Sequence, residues 1–429
     1  MNKYIFKSFS YKNTVMTTFS DKKEKIVIAK KRGLDVFKRG TIDVLTEDAL
    51  IEKLASKEKL IVKFGIDPTT PDMHLGHTVS LTKVRQLQDL GHDCVLIIGD
   101  FTATIGDPSG RKTTRPKLTY EQVRENMTGY IQQISKIVDI NNLKILYNSN
   151  WLSKLNPFEF LDILSKYTVS QLLERRDFSI RMRDNLPISV TELVYPLLVG
   201  YDSVKIKADV ELGGTDQLFN FVTSREIQKA YGQMPEVILT LPLLEGTDGK
   251  LKMSKSYGNA INVDEEPISM YMKIMSIGDD LMLRYFELLS LIKNEDLEII
   301  QQNIKIQNSN PMNYKMQLAS EITSRYHGTE EAAKAENYFN SVVRGKTTGA
   351  LDEISEFVLH MKDSKMSIID LVSSVMQSSR SEARKLIIQG AVELNQKKIV
   401  DLQVELASEQ LSWALLKVGK KVYYKLHID

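Results

Sequence analysis

Two of the six histidines in this 429-residue chain stand three residues apart, His74 and His77, in the run Asp67-Pro68-Thr69-Thr70-Pro71-Asp72-Met73-His74-Leu75-Gly76-His77. Imidazole N–H groups at a helix start can donate to the phosphate oxygens of a nucleotide as charge develops in a transition state. Gly76 between them lets a base or ribose approach the backbone. A capped helix start with two half-exposed histidines is the alternative. A metal pair is disfavoured, because no third His, Cys or clustered carboxylate lies nearby in the sequence. A second basic group, Lys252-Met253-Ser254-Lys255-Ser256, follows the flexible turn Gly246-Thr247-Asp248-Gly249-Lys250. Two lysines three apart in a mobile loop suit a lid over departing pyrophosphate, or else an ordinary exposed loop.

Three further stretches carry polar chemistry. Tyr195 and Asp202 are seven apart, so one helix would present them on a single face. A buried carboxylate beside a tyrosine hydroxyl needs a partner, either a polar ligand or a structural hydrogen bond. Glu211-Leu212-Gly213-Gly214-Thr215-Asp216-Gln217 offers close backbone approach and two polar contacts at a helix start, or a Gly-Gly turn with an Asp cap. Phe101–Pro116 is a loop rich in Gly, Pro, Ser and Thr that carries Asp107, Arg111, Lys112 and Arg115. Basic residues there could grip phosphate, and Asp107 an ammonium.

The elements that must position these groups are strands and helices in alternation. Leu60–Ile66 and Cys94–Ile98 are apolar, β-branched runs bounded by turn residues, and read as buried parallel strands. Between them Leu81, Val84 and Leu87 recur at helical spacing up to Gly91. Ligands of such a strand–helix–strand unit sit beyond the carboxyl ends of the strands, against the helix N-terminus. Asp21–Arg32 and Glu47–Ser56 read as helices, the second capped by Thr46. Residues 120–176 read as mostly helical around a strand at Lys144–Tyr147, with Phe158–Arg175 one amphipathic helix, and Val237–Leu241 reads as the last core strand. From Glu265 to about Tyr338 the pattern is helical, and Gly345–Gly349 looks like a linker. Met366–Asp429 has its own character, a helix ending at Gly390 and then a strand, with Arg380, Arg384 and Lys385 near one face.

Length allows two or three domains. The 57 basic and 55 acidic residues leave a formal charge of +2, so any nucleic acid must meet a local patch. Cys94 is the only cysteine, which excludes an intrachain disulfide and suits a reducing compartment. No apolar run approaches a membrane span. Residues 1–20 lack arginine and a long apolar core, so a secretory signal is not expected. They read as an organelle presequence, or as an upstream extension of a protein starting at Met16. The expected location is the cytoplasm, with organellar import if residues 1–20 are a presequence.

The His74-Leu75-Gly76-His77 and Lys252–Ser256 runs, in that order and each beside a strand-like run, resemble the two signatures of class I aminoacyl-tRNA synthetases. Over residues 35–427 the chain is similar to the tyrosyl-tRNA synthetase family, in its bacterial Lys-Met-Ser-Lys-Ser branch, with an S4-like RNA-binding tail. The resemblance implies an α/β, Rossmann-like catalytic domain with a parallel sheet over residues 35–260, after an N-terminal extension and helix, 1–34. Within it, 150–200 would be a dimer-forming insertion and 246–258 a mobile loop. An α-helical domain (261–344), a linker (345–365) and a small α+β S4-like domain (366–429) would follow. The implied activity is tyrosine activation with ATP, then transfer to tRNA(Tyr). The implied partners are tRNA, tyrosine and ATP with Mg²⁺, in a homodimer, with no protein metal site, tightly bound prosthetic group, membrane or DNA.

By the same resemblance Thr69, His74 and His77 contact the triphosphate, and Arg111, Arg115, Lys252 and Lys255 hold pyrophosphate. Gly65, Asp67, Gly76, Gly214, Asp216 and Lys255 line the ATP site. Thr102, Asp107 and Tyr195 lie near the tyrosine ammonium, Asp202 accepts from its hydroxyl, and Gln217 serves the carboxylate and α-phosphate side. Arg380, Arg384 and Lys385 meet tRNA. The chain departs from the family pattern at Val199, where glutamine is usual, and carries Lys63 where many members have tyrosine. Competing readings are a tryptophanyl-tRNA synthetase, a non-catalytic RNA-binding relative, and a small-molecule nucleotidyltransferase. Asp202, the intact signatures and the tail respectively argue against them.

Overall fold

The computed structural model describes residues 21–68, 73–109, 119–306, 310–341, 354–359, 361, 364–395, 397–411, 413–419 and 422–428. They form two compact units. One gathers the described residues up to Met73 with His77–Leu244 and Glu287–Ile299, the other His74–Gly76, Glu245–Phe286 and the described residues from Ile300 onward.

The first unit is built on a six-stranded sheet of β1 (Asp43–Leu45), β2 (Ile61–Ile66), β3 (Asp93–Ile98), β4 (Leu143–Tyr147), β5 (Val210–Gly214) and β6 (Val237–Leu241). The strand order is β1-β6-β5-β2-β3-β4. β2 pairs parallel with β3 and with β5, β3 with β4, and β5 with β6, while β1 runs antiparallel along β6. The connection from β2 to β3 passes through helix α1 (Leu75–Asp89), whose Leu81, Val84 and Leu87 are buried as their spacing requires. Each such side chain contributes roughly 1.5–3 kcal/mol of transfer free energy. The order of strand addition reverses between β2 and β5, with β3 and β4 laid down on one side and β5 and β6 on the other, and this is the topological switch point where open α/β sheets bind ligands.

The sequence reading anticipated β2, β3 and β6, and β4 to within a residue. It did not anticipate β1, a three-residue edge strand too short for a periodic signal. It also took 211–217 for a turn. The structure makes Val210–Gly214 a central strand, paired with β6 along its length and with β2 over its first three residues, its polar Glu211 facing a buried charge partner rather than solvent. The single helix read over Phe158–Arg175 is two pieces, Pro157–Ser165 and Val169–Leu173, and a further helix, Arg176–Arg183, starts just after it. Thr168 and Asn156 each form a capping box that starts a new segment.

Two helices carry the site. In α2 (Val190–Ile206), Ser189 and Glu192 form a capping box, and buried Arg181 pairs with Glu192 at 2.7 Å. α3 (Leu218–Ala230) packs on it at Gly200, where a Cβ would stand 3.1 Å from the Ser224 Cα, so a larger residue would have to push the two helices apart by a few tenths of an ångström.

In the second unit the helices Pro267–Ser276, Pro311–His327 and Thr329–Phe339 precede a five-stranded sheet. Its members in order are β10 (Lys397–Ile399), β9 (Val392–Leu394), β12 (Leu415–Val418), β13 (Val422–Ile428) and β7 (Ile354–Leu359), and β8 (Lys365–Ser367) pairs separately with β11 (Glu405–Ala407). The β7 residues fall inside the stretch read as a linker, yet they pair parallel with β13 over six residues. Ile368–Met376 and Arg380–Ile388 cover the core of Leu371, Val372, Ile387, Leu416 and Leu426. Among the described residues no helix is long and apolar enough to cross a membrane.

Candidate active site

At the carboxyl end of β2, Asp67 accepts from the Thr102 hydroxyl at 2.9 Å and from the Tyr195 hydroxyl at 3.0 Å. This geometry depends on Gly99 at the end of β3, where a Cβ would sit 1.9 Å from Asp67 Oδ1 and 2.3 Å from Thr102 Oγ1. Asn148, just after β4, donates through Nδ2 to Thr102 Oγ1 at 3.0 Å and to Asp202 Oδ2 at 3.2 Å. The Trp151 indole N–H donates to Asp202 Oδ1 at 2.8 Å. Asp202 is thus buried with both oxygens held by neutral donors. Burial pushes its pKa up to about 6, against Lys63, Trp151 and Asn148, which pull it down. Burial, with Asp67 and Asp107 adding their charge, holds the Tyr195 hydroxyl well above its usual range.

Beneath this group lies an ionic cluster. Lys63 and Glu211 are each 1% exposed and 2.6 Å apart. The other two ammonium protons go to the Val199 carbonyl at 2.9 Å and Ser203 Oγ at 2.8 Å. All three donors of the lysine are therefore committed. Burial opposes the Lys63 charge, but Glu211, Glu236 and Asp202 outweigh it and its pKa is raised. Burial and the Glu211 carboxylate push the pKa of Glu236 well above its usual range. The Val199 side chain cannot hydrogen-bond, but its backbone carbonyl anchors this lysine.

A second ring of contacts surrounds Asp107. Its Oδ2 accepts from Gln217 Nε2 at 2.8 Å, and its Oδ1 from the Ser109 hydroxyl at 2.6 Å. Gln217 also donates to Asp216 at 3.2 Å and accepts from Asn220 at 2.8 Å. Gly214 ends β5 immediately before them, and a Cβ there would meet Asp216 Oδ1 at 2.3 Å. Gly65 lies exposed on β2. His77 is exposed on the first turn of α1.

In the second unit His74 is buried and bridges to Asn262. Gly76 N–H donates to His74 Nδ1 at 3.2 Å and to the Met253 sulfur at 3.3 Å. Asn259, also buried, accepts from Ser254 N–H at 2.9 Å and donates to Asp248 at 3.1 Å, pinning both sides of the loop that carries exposed Lys252 and Lys255. Arg384 and Lys385 are exposed on the helix Arg380–Ile388, where Arg380 pairs with Asp370 at 3.2 Å. Thr69, Arg111 and Arg115 lie outside the described residues.

The first unit thus brings together Asp67, Thr102, Tyr195 and Asp202, and separately Asp107, Asp216 and Gln217. Asp67, assigned to ATP by resemblance, shares its hydrogen bonds with two residues assigned to tyrosine. Asn148, Trp151, Arg175 and Asn220 join these groups although sequence reasoning passed over them. Asn148 and Trp151 had a usable signal, polar and indole groups just beyond the carboxyl end of a predicted strand.

The family model for class I tRNA synthetases (W and Y) matches residues 55–344, and that for the tyrosine–tRNA ligase SYY-like C-terminal domain matches 348–426. The tyrosine–tRNA ligase of Thermotoga maritima is 46% identical over 394 residues, 91% of this chain and 96% of that protein. That of Carboxydothermus hydrogenoformans is 46% identical over 404 residues, 92% of this chain and 98% of that protein. Among solved structures, a C-terminally truncated mitochondrial tyrosyl-tRNA synthetase from Aspergillus nidulans shares the fold, with TM-score 0.62 and 22% identity over 75% of this chain and 99% of that one. With two family models end to end and relatives matched over nearly their whole length, this chain belongs to the tyrosine–tRNA ligase family of class I tRNA synthetases.

Proposed function

We infer that the chain activates L-tyrosine with ATP, giving tyrosyl-adenylate and pyrophosphate, and then transfers tyrosine to the 3′ end of tRNA(Tyr). The observation that carries the choice of amino acid is Asp202, a buried carboxylate aimed by Trp151 and Asn148 and placed beside Tyr195. Its lone pairs not used by those donors accept the phenol proton of tyrosine. Phenylalanine would leave this buried charge under-satisfied, at a cost of a few kcal/mol. Asp107 takes the substrate ammonium with Thr102 and Tyr195 nearby, and Gln217 faces the carboxylate and α-phosphate.

In the first step a tyrosine carboxylate oxygen attacks the α-phosphorus in line, and the bond to the β-phosphate oxygen breaks. No protein nucleophile is needed. The work is positioning and neutralisation of charge on phosphate, assigned to Thr69, His74 and His77, with Arg111, Arg115, Lys252 and Lys255 on the departing pyrophosphate. Gly65, Asp67, Gly76, Gly214 and Asp216 line the nucleotide site. Mg²⁺ accompanies ATP, held chiefly by phosphate oxygens. In the second step a hydroxyl of the terminal ribose attacks the adenylate carbonyl and AMP leaves.

Residues 35–260 carry activation. The helical section 261–344 and the C-terminal segment, with Arg380, Arg384 and Lys385, meet tRNA, and the β7 pairing supports starting that segment at Ile354 rather than 366. A homodimer through the 150–200 insertion is supported by its exposed apolar side chains, among them Phe158 (84% exposed), Leu161, Val169 and Val190. We assign the enzyme to the cytoplasm.

ATP–pyrophosphate exchange with tyrosine, phenylalanine and tryptophan side by side tests the reading. Exchange with tyrosine alone is expected. Exchange with tryptophan would overturn the substrate, and silence with all three would overturn the activity.

A further inference from the structure

Arg175 lies between the short helices Val169–Leu173 and Arg176–Arg183, and its guanidinium is buried. Its Nε donates to Asp177 Oδ1 at 2.7 Å, Nη1 to Asn220 Oδ1 at 3.0 Å, and Nη2 to Ser109 Oγ at 2.7 Å. Nη2 also stands 3.9 Å from Asp107 Oδ1. The rings of Phe178 and Phe219 lie 5.2 and 5.5 Å from the guanidinium carbon and fix the plane of the fork.

These contacts close a ring. Arg175 holds Ser109 and Asn220; Ser109 donates to Asp107; Asn220 donates to Gln217; and Gln217 donates to the other oxygen of Asp107. Asp107 is therefore gripped from two directions, and both lead back to one arginine. The charges fit a cationic guest. Asp107 and Asp177, with Asp216 beside Gln217, outnumber the one positive charge of Arg175, and an ammonium would offset part of that excess. A lysine at 175 would keep the charge but could not span three acceptors in a plane.

We propose that Arg175 is a positioning residue for the substrate ammonium, setting the carboxylate of Asp107 through Ser109 and the Asn220–Gln217 link. The proposal rests on the tyrosine-activation reading and on Asp107 as the ammonium contact. L-Tyrosine and 3-(4-hydroxyphenyl)propionate differ only in that ammonium, so their binding separates this role from general support of the fold. In Arg175→Gln the tyrosine KM in pyrophosphate exchange should rise about tenfold or more, the size of one charge-assisted hydrogen bond. The inhibition constant of the propionate should stay within about twofold, and the KM for ATP should hold. Arg175→Lys should resemble Arg175→Gln.

Equal loss for both compounds, no loss for tyrosine, or full rescue by lysine would each overturn the proposal. If Arg175→Gln does not yield folded protein, Ser109→Ala, which severs the hydroxyl link from Arg175 to Asp107 and leaves the Asn220–Gln217 link, carries the same test. It should raise the tyrosine KM about threefold and spare the propionate, and parallel changes would overturn the idea. Wild-type protein that fails to exchange with tyrosine would count against the underlying reading, not against the ring.

Discussion

Asp202 and Asp107 are two carboxylates of one site with opposite surroundings. Asp202 is 2% exposed, its oxygens held by an indole and an amide, with one buried lysine as compensating charge. Asp107 is half-buried in a ring of charged and amide groups, with Arg175 nearby and Asp216 exposed to solvent beside it. The first environment makes ionisation costly and a mispaired ligand costlier, which suits discrimination. The second tolerates charge and water, which suits a contact whose partners change as an adenylate forms. The proposed function thus divides selectivity and chemistry between a dry end and a wet end.

The strongest way to break the dry end is to remove its counter-charge. Lys63→Met leaves Glu211 buried without its partner and takes a donor each from Ser203 and the Val199 carbonyl. Breaking a buried pair on one side costs about 3–5 kcal/mol, so the urea midpoint should drop sharply. Replacing both sides, Lys63→Met with Glu211→Leu, should recover much of the loss. An unchanged midpoint for the single variant would show that the pair contributes nothing net.

Asp202→Asn comes next. The amide can still accept a phenol proton, but the charge is gone, and a hydrogen bond to an ionised group is worth about 1.5–3 kcal/mol. The kcat/KM for tyrosine should fall roughly 10²-fold while pyrophosphate exchange shows a narrower preference over phenylalanine. The same substitution at Asp107 should act on tyrosine without narrowing that preference. Equal loss of discrimination at both would erase the distinction between the ends.

How legible this division was depends on sequence distance. The two signatures, the strands β2, β3 and β6, and the shared face of Tyr195 and Asp202 are local patterns, readable from spacing. Trp151 reaches Asp202 across 51 residues, and Arg175 reaches Ser109 across 66. No periodicity reports such pairings. Lys63 was visible as a departure from family habit, but that its three protons are spent on Glu211, Ser203 and a carbonyl is a matter of packing. β5 was misread because its two glycines mimic a turn, whereas the parallel neighbour β6 holds them extended.

The dry end should also show itself in pH. With Asp67, Tyr195, Glu211, Glu236 and Lys63 around it, Asp202 takes up a proton near pH 6, and a protonated carboxyl accepts poorly from phenol. Below about pH 6 the kcat/KM for tyrosine should fall about tenfold per unit, and above it should level. Stability moves the other way. Because the folded pKa lies above the unfolded one, folding takes up a proton between about pH 4 and 6, and this group's contribution declines as pH rises through that window. A flat profile down to pH 5 would place the Asp202 titration lower and its site wetter than the geometry implies.

The smallest effect concerns Val199, on α2 four residues after Tyr195, the position where family members commonly carry a glutamine near the ammonium. Valine adds no side-chain hydrogen bond, so in the proposed reading the ammonium depends on Asp107, Thr102 and Tyr195. Val199→Gln adds a neutral donor and acceptor, worth about 0.5–1.5 kcal/mol at best, so the tyrosine KM should fall a few-fold. The backbone carbonyl that holds Lys63 is unaffected by the change, so stability should stay level. The gain should be larger in the Arg175→Gln background, where Asp107 is loosely held, than in the wild type. An equal gain in both would make the two contacts independent. A raised KM would mean that Val199 serves the dry end as packing, and that glutamine there disturbs Lys63 and through it Asp202.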